Sequence, residues 1–420
     1  MNGAHHRLSR GLFEALARGG GGIAAVTELA AAQHSKHIIL LGGVRRSARD
    51  DDRFAAQGYD LLAEVKQVAP DAAEAVIRHP SVGAWAMRTL GRDRTLPRAE
   101  PGGLSAVAAA AAIRAEMAAE IEVPVTDGAV MLPSLGSAAA GGDIAVVRTS
   151  PPSVSSAGQS VYLGPHSPGW QALRTIRAGG LDALIDDLDP FRMPAAANLA
   201  TRLSAAETAD WEAALRDAWP LLAPDTAAEI GAAIRVIVPT LAPQGGYVSS
   251  SSPENFGAIA MSRQPDRYTC AASLVHEVQH QKLSALLNLV ELTLPDEDRR
   301  YYAPWRPDPR PVSGLLQGAY AFLGVSGFWR WARRTADDDR ISWHAETEFA
   351  RWRSASGRVV HTLLASGRLT AAGRDFVAEM ERVLDAWQGE PVSAEAVALA
   401  HHEAELHLAR WQADNGPVPG

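Results

Sequence analysis

Apolar residues recur every three to four positions through most of the first 120 residues, as in DLLAEVKQVAPDAAEAVIRHPSVGAWAMRTL over 60–90. That period is the period of a helix burying one face. A short amphipathic helix around Leu8, Leu12, Phe13 and Leu16 is broken by the glycines at 19–22, and LSAVAAAAAIRAEMAAE from Leu104 to Glu120 predicts another helix because alanine and leucine favour it. Residues 1–120 therefore read as a helical framework with no chemistry of its own.

The pattern changes after Glu120. The β-branched runs IEVPV (Ile121–Val125), IAVVR (Ile144–Arg148) and VYLGP (Val161–Pro165) are bounded by glycine, proline or polar residues and predict a small sheet or hairpin array. Ile234–Pro243 predicts one more strand, since Pro239 and Pro243 oppose a long helix. TIRAGGLDALIDDLDP (175–190) reads as a helix ending in a turn at DDLDP, and TAAEIGAA (226–233) as another helix. Ser204 followed by Glu207 signals a capped helix start. The expected fold class is α+β and mainly helical, with a helical region over 1–120, a mixed region over 121–244 and a helical domain over 245–420.

The third region holds the chemistry. CAASLVHEVQHQKLSALLNLV (270–290) has a broad apolar face and no glycine or proline, which predicts a helix of five or more turns ended by Pro295. On it His276 and His280 are four apart, so both imidazoles project to one side and can reach one ion. Glu277 sits one residue round the helix. With zinc, two imidazoles and a third ligand leave a position for water, and Glu277 would be the general base of a metallopeptidase. With iron, the open positions would take a chelating cosubstrate and dioxygen.

The third ligand is not evident. Glu291, on an unbroken helix, would lie about 16 Å beyond His280. Asp296 or Glu297 would fold back from the turn that follows, and His344, Glu346, Glu348, His401, His402 and His407 lie on later helices. Ahead of the motif, residues 245–266 hold a glycine- and serine-rich loop, either lining the site or acting as a linker, and within them FGAIAMS (256–262) predicts an edge strand. Behind it, Pro304, Pro307, Pro309 and Pro311 stiffen a strap that presents Arg306 and Arg310. Guanidinium groups suit a dicarboxylate cosubstrate or a peptide's acidic group, or bridge helices through Asp308 or other acids. Trp305 and Trp343 are candidates to line a substrate groove.

Composition narrows the partners. A net charge of -8 gives no long-range attraction for nucleic acid. No apolar run approaches the ~20 residues that span a bilayer. The single cysteine, Cys270, excludes an intrachain disulfide, and with no secretory apolar segment at the N-terminus the expectation is a cytoplasmic protein.

The strings LVHEVQHQKLSALLNLVEL and YYAPWRPDPRPVSGLLQGAYAFLGV resemble the HExxH-motif family associated with ribosomally made, post-translationally modified peptides in actinobacteria and other bacteria. In that family the domain stands alone or is fused to a radical SAM maturase. The resemblance is clearest over residues 245–330. It implies an iron(II)- and 2-oxoglutarate-dependent hydroxylase acting on a β-carbon of a precursor-peptide residue, with a fold distinct from the double-stranded β-helix. His276 and His280 would bind iron, Glu277 would orient the site, and Arg306 or Arg310 would grip the cosubstrate carboxylate. Gln317 stands where relatives are expected to carry histidine, and would be a weak oxygen ligand, a hydrogen-bond donor supporting a ligand, or the mark of a subgroup whose third ligand lies elsewhere. The rival readings are a zinc peptidase and a catalytically silent peptide-binding protein.

Overall fold

The computed structural model describes residues 6–91, 99–193 and 198–418. Among the described residues six α-helices come first: α1 (Arg10–Ala17), α2 (Gly22–Ser47), α3 (Arg53–Val68), α4 (Pro70–Ile77), α5 (Pro80–Thr89) and α6 (Leu104–Arg114). The glycine break between α1 and α2 falls where expected. Helix α6 stops six residues short of Glu120, because Glu116 takes a left-handed φ of 50° while the amide of Met117 reaches back to the carbonyl of Ala112. Such a stop is usually marked by glycine, so this one left no mark in the sequence.

Nine strands follow: β1 (Glu120–Pro124), β2 (Ala129–Leu132), β3 (Gly136–Ala139), β4 (Ile144–Thr149), β5 (Pro152–Ser156), β6 (Gln159–Tyr162), β7 (Trp170–Ala172), β8 (Arg174–Ala178) and β9 (Leu181–Ile185). The first and fourth to sixth form one antiparallel sheet in the order β1-β4-β5-β6, and β2-β3-β7 form another. The helix expected over 175–190 is instead the β8–β9 hairpin. Ala178 pairs with Leu181 across a two-residue Gly179–Gly180 turn, and Gly179 has φ 60° with no room for a Cβ beside Trp219. Two glycines at a hairpin tip outweigh the helical spacing of the flanking leucines.

The remainder is α7 (Ala205–Ala218), α8 (Pro224–Ala233), β10 (Val236–Pro239), β11 (Ser249–Ser250), β12 (Ala258–Met261), α9 (Arg267–Leu286), α10 (Val312–Thr335), α11 (Asp339–Ala365), α12 (Ala371–Gln388) and α13 (Ala394–Asn415). The Ser204–Glu207 capping box at α7 is present in both directions. A five-stranded mixed sheet runs β11-β12-β10-β9-β8, with β9, β10 and β12 parallel. FGAIAMS therefore gives an inner strand, because the short β11 covers its outer edge. No sheet among the described residues closes into a barrel, and the architecture is mainly helical α+β. No described helix is long and apolar enough to cross a membrane.

Strands β10 and β12 are buried at every position, as parallel strands covered on both faces must be. The core around them joins Val26, Ile185, Ile237, Ile259, Leu274 and Phe349, so it crosses the boundaries expected near residues 120 and 245. A second core packs Leu62, Trp85 and Val107 against Val123 and Val147, and a third packs Leu16 and Leu29 against Leu283, Leu316 and Phe376.

Helix α9 is bound into this frame by polar side chains as well as apolar ones. Lys282, only 1% exposed, donates to Glu229 of α8 at 2.7 Å and to the carbonyl of Gly19 at 3.0 Å. Gln279 donates to the same carbonyl at 2.7 Å, while Glu229 accepts from the amide of Gly22 at 2.6 Å. Removing one partner of such a pair leaves an uncompensated buried charge. Lys282→Met should therefore cost about 3–5 kcal/mol, read from urea unfolding, and Lys282→Met with Glu229→Gln should recover part of it.

One buried and one half-buried imidazole add an acid sensitivity. Burial pushes His37 down to about 4, even though it sits 2.7 Å from the carbonyl of Ile77, and burial together with Arg78 pushes His34 down to about 4. The unfolded chain takes up these protons first, near the ordinary value of 6.5, so their contribution to stability is whole above that pH. It is lost as pH falls towards 4. Melting temperatures measured from pH 7 to 4 should decline, with a shallower decline in a His37→Gln variant.

Candidate metal centre

The HExxH helix begins where the central sheet ends. Asp266 caps α9 by accepting from the amides of Tyr268 and Thr269, five residues after β12. Gln281 then ties the helix back to the start of the same strand, accepting from the amide of Gly257 at 2.8 Å and donating to the carbonyl of Ala258 at 2.9 Å. These bonds fix the rotation of α9 and so the direction in which its histidines point. The helix ends at Leu286, well before Pro295, and Glu291 lies beyond it with its carbonyl accepting from Thr370.

His276 and His280 converge. Their Nε2 atoms are 3.0 Å apart and the rings meet edge to face. Gln317 of α10 donates its Nε2 to Ser284 at 3.2 Å, which turns its Oε1 towards His280 Nδ1 at 3.1 Å. His280 then carries its proton on Nδ1 and presents the Nε2 lone pair. Burial, reinforced by His280, pushes His276 down to about 3, so that ring is neutral at physiological pH.

Two nitrogens bound to one ion at about 2.0–2.1 Å lie roughly 3 Å apart, so the observed spacing fits a shared ion. A proton shared between the rings fits the same distance, and metal uptake separates the two. Among the described residues, no third histidine, cysteine, aspartate or glutamate brings a ligand atom within 4.8 Å of both imidazoles. Among the described residues, the ligands supplied by those residue types stop at two.

Glu277 is buried and firmly held. Ser249 and Ser251 of the serine-rich loop donate to its two carboxylate oxygens, each at 2.8 Å. The loop is thus packed against the motif helix as an ordered lining. An aromatic wall stands on the other side: Phe322 meets His276 edge-on at 5.0 Å and stacks with Trp352 at 4.2 Å and Trp305 at 4.9 Å. Trp305 reaches it because Gly318 has no Cβ, which would lie 2.5 Å from the indole.

The other candidates go elsewhere. Asp296 accepts from the amide and hydroxyl of Ser313 at the start of α10, and Glu297 pairs with Arg368. Glu346 accepts from Ser393, Glu348 from the indole of Trp352, and His344 lies against Trp329. His401 and His402 are exposed, and His407 meets the hydroxyl of Tyr302. Trp343 is exposed on α11. Arg306 and Arg310 both hydrogen-bond to Asp308, at 2.7 and 3.1 Å. Cys270 is buried, its thiol pushed up to about 12, which makes it a poor nucleophile.

Phe322, Trp352, Ser249 and Ser251 join the site without having been singled out in the sequence. The serine run was the one visible signal. No protein-family model matches the chain, and a search of curated proteins returns no significant match.

A partner that holds the far nitrogen of a metal-binding histidine typically contributes 10–100-fold to metal affinity. Gln317→Leu should weaken cobalt or zinc binding by about that factor in a competitive titration. Gln317→Glu, which keeps an acceptor at the same place, should retain most of it; equal affinity in all three proteins would leave Gln317 a packing residue.

Proposed function

We propose that the chain is an iron(II)- and 2-oxoglutarate-dependent hydroxylase acting on a β-carbon of a residue in a ribosomally made precursor peptide. The resemblance of residues 245–330 supports this reading, and the observation that favours it over a peptidase is the state of Glu277. A general base needs a carboxylate within hydrogen-bond reach of the reacting water. Glu277 is 2% exposed, and its carboxylate is turned to the hydroxyls of Ser249 and Ser251, which suits a group that positions the loop and the helix.

His276 and His280 would hold the iron, and Gln317 would keep His280 in the ligating tautomer. Bound with 2-oxoglutarate and dioxygen, the metal supplies the oxidation that places a hydroxyl on the peptide carbon. The two protein nitrogens leave room for a chelating 2-oxo acid. Arg310 lies against Gly314, where an added Cβ would be 3.0 Å from its Nε, and Gly314 precedes Gln317 by three residues. That is about 4.5 Å of helix rise, which places a guanidinium roughly one turn from the His280 support. Its Nε is buried without a partner among the described residues. Arg310 is therefore the better of the two arginines to receive the distal carboxylate, with Asp308 holding it in place. Trp305, Phe322 and Trp352 would keep water from the reacting centre.

Protein purified without oxygen and loaded with iron should form succinate from 2-oxoglutarate when given a suitable precursor peptide, with a gain of one oxygen in the peptide mass. His276→Ala should abolish both, and Arg310→Ala should raise the 2-oxoglutarate concentration needed at least tenfold. Tightly bound zinc with a shortened peptide would sink the proposal.

A further inference from the structure

A second group of metal-ligating side chains lies where the helical N-terminal region meets the central sheet. His79 immediately precedes α5, and Asp186 and Asp189 belong to the turn that follows β9. The three are 4%, 0% and 2% exposed, and one ligand atom from each lies within 4.8 Å of the others. We propose that His79, Asp186 and Asp189 form a closed site for a divalent first-row transition cation, fastening the start of α5 to the end of β9.

The hydrogen bonding around the group points to a ligand. Asp186 uses one oxygen, Oδ1, to accept from the amides of Leu188 and Asp189 at 3.1 and 2.8 Å. Its other oxygen, Oδ2, is buried with no hydrogen-bond partner among the described residues, and so is His79 Nε2. Native interiors rarely leave such atoms unpaired, and an unfilled ion site is one of the ordinary reasons. Ser81 sets the tautomer: its hydroxyl bonds to Asp189, so at 2.8 Å its oxygen accepts from Nδ1–H of His79. Nε2 of His79 is then a lone pair, buried and unused, as in metal-binding histidines whose far nitrogen is held by a neighbour.

Charge points the same way. Two carboxylates share the interior, and the nearby Arg192 directs its Nη groups to the carbonyls of Asp189 and Ala200. The two turns are already held together by buried Asn255, which donates towards the carbonyls of Phe191, Arg192 and Pro80. One imidazole and two carboxylates suit manganese, iron or zinc, whereas calcium and magnesium favour oxygen ligands alone. Ligands about 2.0–2.2 Å from an ion are at most about 4.4 Å apart, so small movements would close this group on one.

The test is independent of the histidine pair on α9. Full-length protein is stripped with a chelator and titrated with zinc or manganese chloride, followed by equilibrium dialysis, metal analysis and thermal melting. A His276→Ala, His280→Ala double variant should still bind one equivalent and melt several degrees higher with metal than with chelator. Adding Asp186→Asn, whose side-chain oxygen still accepts from the two amides, should lower that affinity at least 100-fold and remove the metal-dependent rise. Should that triple variant not fold, as judged by circular dichroism, Asp189→Asn in the same background carries the same expectation. A double variant that takes up no metal, or a folded triple variant that binds as tightly as the double, would overturn the assignment, whatever the outcome of the succinate assay.

Discussion

An ammonium shut away from water is tolerable only with an opposite charge and further acceptors in reach, and Lys282 has both in Glu229 and the Gly19 carbonyl. The arrangement in the rest of the chain follows from this requirement. It forces the glycine turn between α1 and α2, the helix α8 and the motif helix α9 to meet at one point. Glycine makes the meeting possible, since Gly19 and Gly21 take left-handed backbone angles and Gly22 offers its amide to Glu229. Apolar packing alone would tolerate a small rotation of α9; three directional hydrogen bonds do not.

That fixed rotation is what makes the histidine pair chemically meaningful. Lys282 and Gln279 face the N-terminal helices, Gln281 faces the strand, and the opposite arc, with His276 and His280, is turned towards Gln317 and Phe322. The site is assembled from α9, α10, α11 and the serine loop, each supplying a different kind of group. Histidine nitrogens come from one helix, the amide support and the aromatic face from the second, the stacking indole from the third, and hydroxyl donors from the loop.

The two candidate metal groups differ in a way that their burial explains. The histidine pair is partly buried beside an aromatic wall. The His79, Asp186 and Asp189 group is almost wholly excluded from solvent at the carboxyl end of a parallel strand, and suits a tether. Parallel strands concentrate loops at that edge, so residues from distant parts of the chain collect there.

Periodicity and spacing were enough to read the helical character of both ends, the strands at 121–125 and 144–148, the capping box at Ser204 and the HExxH helix itself. Each rests on interactions within a few residues, such as capping, propensity or one turn of helix. The hairpin at 174–185 was legible only through Gly179–Gly180, whose turn preference competes with a helical spacing of leucines, and packing against Trp219 settled the contest. Asp186 and Asp189 were visible merely as a turn, and His79 as one residue of a helical framework. Their juxtaposition spans more than a hundred residues and depends on how α5 packs beside β9. The same holds for the partners of Glu277 and Gln317, because a contact between distant segments is set by the closing of the core and leaves no periodic trace in the chain.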